Sequence, residues 1–147
     1  MFVDSSIFLE VELAQEHGEA SKRFLKRVQK GELNAYTTNF HLDNIVIVME
    51  RYGRSWRDIA VFLTSLLQYK GLSIYPLTIY DRIKATEIMR EENLDFDDAL
   101  AAYVMKKLGL KVIVSYDTDF DKVSWIKRKT PEDLEDPTKT LFQRPAC

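Results

Sequence analysis

Aspartates stand inside apolar runs at four separated points of the chain, each where a strand or helix is expected to begin or end. They are Phe2-Val3-Asp4-Ser5-Ser6, Leu42-Asp43-Asn44, Phe96-Asp97-Asp98-Ala99-Leu100 and Ser115-Tyr116-Asp117-Thr118-Asp119-Phe120. An unpaired carboxylate among apolar neighbours is expensive. Several become tolerable together when they converge on a divalent cation, because hard cations take oxygen ligands and keep part of their water shell. A set of this kind suits metal-assisted phosphodiester chemistry.

The segments between these acids alternate in type. Short apolar stretches at 1–4, 35–38, 72–77 and 111–115 read as strands, with a possible edge strand at 123–127. Between them lie stretches of helical spacing. One is a short helix over 5–13, and a second over 17–30 carries Ala20, Phe24, Leu25 and Val28, with Gly31 as its stop. A third covers 39–52, and a fourth, capped by Ser55, carries Ile59, Phe62, Leu63, Leu66 and Leu67 as a core stripe that could also serve as a dimer face. A helix over 79–92 is expected to turn Ile83 and Ile88 inward, and the last runs from an Asp97 cap to Leu108 and Gly109. Thr130-Pro131-Glu132 is a helix-start signal.

Strands alternating with helices predict an α/β sandwich, three layers αβα, with a mostly parallel sheet. Sites in such sheets form beyond the carboxyl ends of the strands. Asp4 and Asp117 follow predicted strands, and Asp98 opens the helix leading into the Asp117 strand. These three therefore point to one edge of the sheet. Residues 1–134 read as one domain and 135–147 as a loose tail.

Composition narrows the chemistry. The only histidines are His17 and His41, and the only cysteine is Cys147, which argues against a zinc site, a disulfide framework or a Ser-His-Asp hydrolase. One cysteine fits a reducing compartment, the cytoplasm. No apolar run approaches membrane-spanning length, and no signal-peptide pattern opens the chain. A net charge of −2 speaks against a DNA-coating protein. Local basic strips at Lys22, Arg23, Lys26, Arg27 and Lys30, and at Lys122, Lys127, Arg128 and Lys129, still leave room for an RNA backbone. The favoured reading of each strip is still a solvated face.

Taken in order, Val3-Asp4-Ser5-Ser6, the 39–50 helix, Asp98-Ala99-Leu100-Ala101-Ala102 and Val112-Ile113-Val114-Ser115-Tyr116-Asp117-Thr118-Asp119-Phe120 resemble a PIN domain, specifically the VapC-type toxin ribonucleases, over residues 1–134. The resemblance implies a Mg²⁺- or Mn²⁺-dependent endoribonuclease with an RNA substrate, a small antitoxin partner, homodimers and no membrane association. It assigns Asp4, Asp98 and Asp117 to the metal and the catalytic set, with Ser5 and Ser115 as accompanying hydroxyls. The family's mid-chain Glu falls on Asn44, which offers a carbonyl oxygen but cannot act as a base. Asp43, one position away, is the substitute and completes the catalytic set.

Simpler roles stand beside these. Asp4 suits an N-cap, Asp97 a cap, Asp117 a turn and His41 a satisfied helix position. Asn44 also motivates an alternative, a catalytically weakened PIN-like module for protein or RNA binding. A phosphatase-like or receiver-like protein is disfavoured, because Asp4 is followed by Ser5-Ser6 rather than by a second acid.

Overall fold

A computed structural model describes residues 1–135. Five strands form one parallel sheet: β1 (Phe2–Val3), β2 (Ala35–Thr38), β3 (Leu72–Tyr75), β4 (Val112–Val114) and β5 (Lys127–Lys129). Their spatial order is β3-β2-β1-β4-β5. Six helices connect them: α1 (Ser5–Glu12), α2 (Gly18–Gln29), α3 (Asn39–Arg51), α4 (Trp56–Leu66), α5 (Ile79–Glu92) and α6 (Phe96–Leu108). This is the αβα architecture expected from the alternation of periods. The expected tail lies outside the described residues from position 136 onward.

Side chains of adjacent strand residues point to opposite faces, and both faces are apolar here. Phe2 and Ile113 pack into the core against α5 and α6, whereas Val3 and Val114 pack into the core formed with α1, α2 and α3. Burial on both faces is the normal state of a parallel sheet, and it explains why β1 and β4 read as continuous apolar runs rather than as alternating ones. The chain winds outward from β1 through β2 to β3 and then returns to lay β4 on the other side of β1. That reversal opens a crevice between the carboxyl ends of β1 and β4, the place where α/β sheets put their ligands.

Local signals set the helix limits. Ser55 with Asp58, and Thr78 with Asp81, form reciprocal capping boxes that start α4 and α5. Gly109 ends α6 with φ of +70°, where a side chain would be strained.

Several expectations fail at the surface. Of the α4 stripe, Phe62 is buried and Ile59 and Leu66 pack half-buried against the core, whereas Leu63 and Leu67 are exposed. On α5, Ile88 is buried but Ile83 is exposed. The edge strand lies at Lys127–Lys129 instead of 123–127, since Val123 and Ile126 are taken up by the core. Thr130-Pro131-Glu132 starts only a single 3-10 turn, Glu132–Leu134.

Candidate metal centre

Asp4 leaves β1 in extended conformation, and its N–H donates to the Val114 carbonyl at 3.0 Å, so its position is fixed by the central strand pair. It occupies the N-cap position of α1, yet its side chain makes no cap hydrogen bond. The carboxylate instead accepts from Ser115 Oγ at 2.6 Å and Ser6 Oγ at 3.0 Å, with Ser5 Oγ at 3.5 Å. Ser115 Oγ in turn accepts from the Asp117 N–H at 3.0 Å. One buried hydroxyl thus ties the acid after β1 to the backbone of the acid after β4. Asp117 Oδ1 accepts from the Asp119 N–H at 2.9 Å, the turn role foreseen for Asp-Thr-Asp.

Asp98 enters from the other layer. It is the third residue of α6, and its N–H donates to Asp95 Oδ1 at 2.9 Å. The cap of α6 is therefore Asp95 and not Asp97, which corrects the expected start of that helix by two residues. Carboxylate oxygens of Asp98, Asp117 and Asp119 lie within 4.8 Å of one another. Asp98 is buried, Asp117 half-buried and Asp119 exposed, so the cluster opens from the crevice to solvent.

The charge on these groups is poorly balanced. Burial, followed by the charges of Asp95, Asp4, Asp117 and Asp97, pushes Asp98 from an ordinary 3.8 up to about 8. Burial also raises Asp4, against the opposing hydrogen bond from Ser115. Among the described residues, no Lys or Arg lies within ion-pair distance of Asp4, Asp98 or Asp117. Of the nearby cations, Lys122 pairs with the exposed cluster member Asp119 at 3.3 Å, and Arg128 pairs with Asp121 at 2.9 Å. A donor set made only of hard oxygens, partly buried and short of positive charge, fits a divalent cation such as Mg²⁺ or Mn²⁺. Asp119 contributes its carboxylate directly to the cluster.

Asp43 and Asn44 lie in the first half of α3; Asp43 is exposed, Asn44 is half-buried, and neither belongs to the converging cluster. Beside that helix lies a contact that sequence reasoning missed. The fully buried ring of His41 on α3 reaches Asp97 on α6, with Nε2 3.2 Å from the Asp97 carbonyl oxygen and 2.8 Å from its Oδ1. The only signal available was a lone histidine on the apolar face of a helix.

The model of the PIN-domain family matches residues 1–126. Among solved structures, the Mycobacterium tuberculosis toxin VapC20, described as cleaving the sarcin-ricin loop, superposes with a TM-score of 0.69 at 21% identity, over 85% of this chain and 95% of that one. A toxin-antitoxin complex from Klebsiella pneumoniae gives 0.65 at 13% identity, over 88% and 96%. VapBC2 from Rickettsia felis, bound to a DNA fragment from its promoter, gives 0.61 at 10% identity, over 88% and 96%. No curated protein matches the sequence.

Proposed function

The chain belongs to the PIN-domain family, a family of nucleases, and we propose that it is a Mg²⁺- or Mn²⁺-dependent endoribonuclease, the toxin of a toxin–antitoxin pair acting in the cytoplasm. The observation that carries this reading is the under-compensated carboxylate cluster at the β1/β4 crevice, with Asp98 raised to about 8. Asp4, Asp98 and Asp117 would hold the cation, and Asp119 adds a fourth carboxylate on the solvent side. A bound cation would supply Lewis-acid polarisation of a phosphodiester and lower the pKa of a water.

The chain's own groups do the positioning. Ser115 keeps Asp4 directed at the crevice and holds the turn that carries Asp117 and Asp119. Arg128 donates to the Ser115 carbonyl at 3.3 Å, which steadies the same turn from β5. Asp43 stands at the exposed rim of α3 and is the most peripheral member of the catalytic set.

Two surface features support the partner reading. A groove between α1, α2 and α4 has Phe8, Leu25, Phe62 and Tyr69 on its walls, with Lys22 and Lys26 on one bank. It suits an apolar segment with acidic flanks, the chemistry we assign to an antitoxin. Exposed Val61, Leu67, Ile74, Ile79 and Ile83 on α4, β3 and α5 are the surface we assign to a homodimer. None of the described helices is long and apolar enough to cross a membrane.

Asn44 favours a second reading, a PIN-like module with weakened metal binding that acts by holding protein or RNA. One experiment separates the two: purified protein is incubated with mixed RNA and Mg²⁺ or Mn²⁺, with and without chelator, beside Asp98→Asn. Cleavage that needs both metal and Asp98 supports the ribonuclease. A folded wild type that neither cleaves nor gains thermal stability from Mn²⁺ supports the binding module.

A further inference from the structure

The His41 ring is enclosed on every side. Phe2 and Phe40 meet it edge-on at centroid distances of 5.3 and 5.5 Å, and none of it reaches solvent. Its two nitrogens join two helix beginnings. Nδ1 lies 2.5 Å from Oγ1 of Thr38, the residue that caps α3, and Nε2 faces Asp97 in the first turn of α6. The Asp97 carbonyl and carboxylate offer only acceptors, so Nε2 carries the proton and Nδ1 accepts from the Thr38 hydroxyl. That hydroxyl oxygen also accepts the His41 N–H at 3.1 Å, so each polar atom of the link has a partner.

The contact to the Asp97 carbonyl has a specific consequence. This carbonyl belongs to the peptide unit whose nitrogen is that of Asp98, and that N–H is bonded to Asp95 Oδ1 at 2.9 Å. The peptide link entering Asp98 is therefore held at both ends, by His41 on its oxygen and by Asp95 on its nitrogen. Asp97 Oδ1, which makes no hydrogen bond, lies 2.8 Å from the same Nε2, and Asp97 is not among the converging carboxylates. With three acids in four residues, Asp95, Asp97 and Asp98, α6 needs a device that selects which of them faces the crevice.

We propose that His41 is a positioning residue for the carboxylate site: it clamps the Asp97–Asp98 peptide link to the start of α3, so that Asp98 and not Asp97 is presented to Asp4 and Asp117. The inference deepens the metal-site reading given above and rests on it. Partners that orient a metal ligand without touching the metal typically matter 10- to 100-fold in affinity or activity.

The test compares His41→Phe, which fills the ring site without either hydrogen bond, with His41→Gln, whose amide nitrogen replaces Nε2. Three measurements are made: amide exchange of Asp98 in metal-free protein, Mn²⁺ affinity by titration, and RNA cleavage kinetics giving kcat and KM. For folded His41→Phe we expect Asp98 exchange about tenfold faster, Mn²⁺ binding and kcat lower by roughly 10- to 100-fold, and KM within about threefold. His41→Gln is expected to stay within about threefold of wild type in all three. Should His41→Phe not fold, His41→Asn, which cannot reach Asp97, takes its place with the same expectation. Wild-type exchange and Mn²⁺ affinity in the folded Phe or Asn variant overturn the proposal, as does a folded Gln variant that fails as Phe does. A wild type without Mn²⁺ binding or cleavage overturns the ribonuclease reading instead, and Asp98 amide exchange then still decides whether His41 holds that peptide link.

Discussion

Asp81 and Asp98 occupy the same position, the third residue of a helix, and both are buried. Each N–H donates to the side chain of its cap, Asp81 to Thr78 at 3.2 Å and Asp98 to Asp95 at 2.9 Å. Their carboxylates then diverge. That of Asp81 accepts from the Thr78 N–H at 2.9 Å and the Tyr103 hydroxyl at 3.1 Å, with the Lys107 ammonium 3.4 Å away. Burial alone would raise its pKa, but these donors bring it below the ordinary value. Asp98 sits among carboxylates and rises to about 8. A buried acid whose charge the fold satisfies is a structural part, whereas one whose charge the fold leaves open marks a place where something else must supply the countercharge.

The sharpest way to break this comparison is Asp98→Asn. Removal of a cation ligand should cost several kcal/mol of transition-state stabilisation, or about a thousandfold in metal-dependent RNA cleavage. The same substitution should raise the melting temperature of the metal-free protein at pH 8 and leave it unchanged near pH 4. Below about pH 4 the Asp98 carboxyl is protonated in both folded and unfolded chains. Between there and about 8 only the unfolded chain ionises it freely, so metal-free stability falls across that window. A melting temperature at pH 8 that drops in the Asn variant would show that the acid is satisfied after all.

Cation binding should repair the deficit. At a hundredfold excess over Kd, Mn²⁺ adds roughly 2.7 kcal/mol to a protein that binds it only when folded. The gain in melting temperature should be larger at pH 8 than at pH 5, since protons compete for Asp98 at the lower pH. Equal gains at both values would argue for a site that does not involve this residue.

Asp81→Asn should behave in the opposite way. Loss of charge-assisted hydrogen bonds around a side chain that is 3% exposed should destabilise the fold by about 1–3 kcal/mol in a denaturant titration, with RNA cleavage retained. The contribution of Asp81 is complete above its ordinary pKa and is lost as pH falls through the lowered value, the reverse of the Asp98 trend. The smallest effect belongs to Asp43→Asn at the exposed rim: a fall in cleavage of less than about tenfold, or under roughly 1.4 kcal/mol. A loss as large as that of Asp98→Asn would place Asp43 at the centre of the site.

The contrast between the two acids also marks what could be read from residue order. Strand and helix periods locate the elements that Asp4, Asp98 and Asp117 end or begin; the structure brings the carboxylates of Asp98 and Asp117 together and ties Asp4 to the Asp117 turn through Ser115. Burial partners are set by tertiary packing and leave no such trace. Ile83 on α5 fits the helical pattern yet faces outward, and Leu63 and Leu67 of the α4 stripe stay uncovered, since a helix pattern does not say how much protein lies beyond it. Near Asp98 the sequence offered three acids in four residues, with local rules unable to rank them. The tie of Asp97 to His41 depends on α3, more than fifty residues earlier in the chain.

The pairing of β1 with β4 sets Phe2 beside Ile113 in adjacent parallel strands. Contacts between such distant residues form slowly, because a long loop must close before they bring any gain. Asp4 and Asp117 are separated by almost the entire described chain, so neither a nascent polypeptide still short of β4 nor a proteolytic fragment lacking it can assemble the cluster. Any nuclease activity built on this site is withheld until β4 and the turn after it have been made and folded against β1, and a ribosome making the protein is spared a working enzyme on any shorter nascent chain.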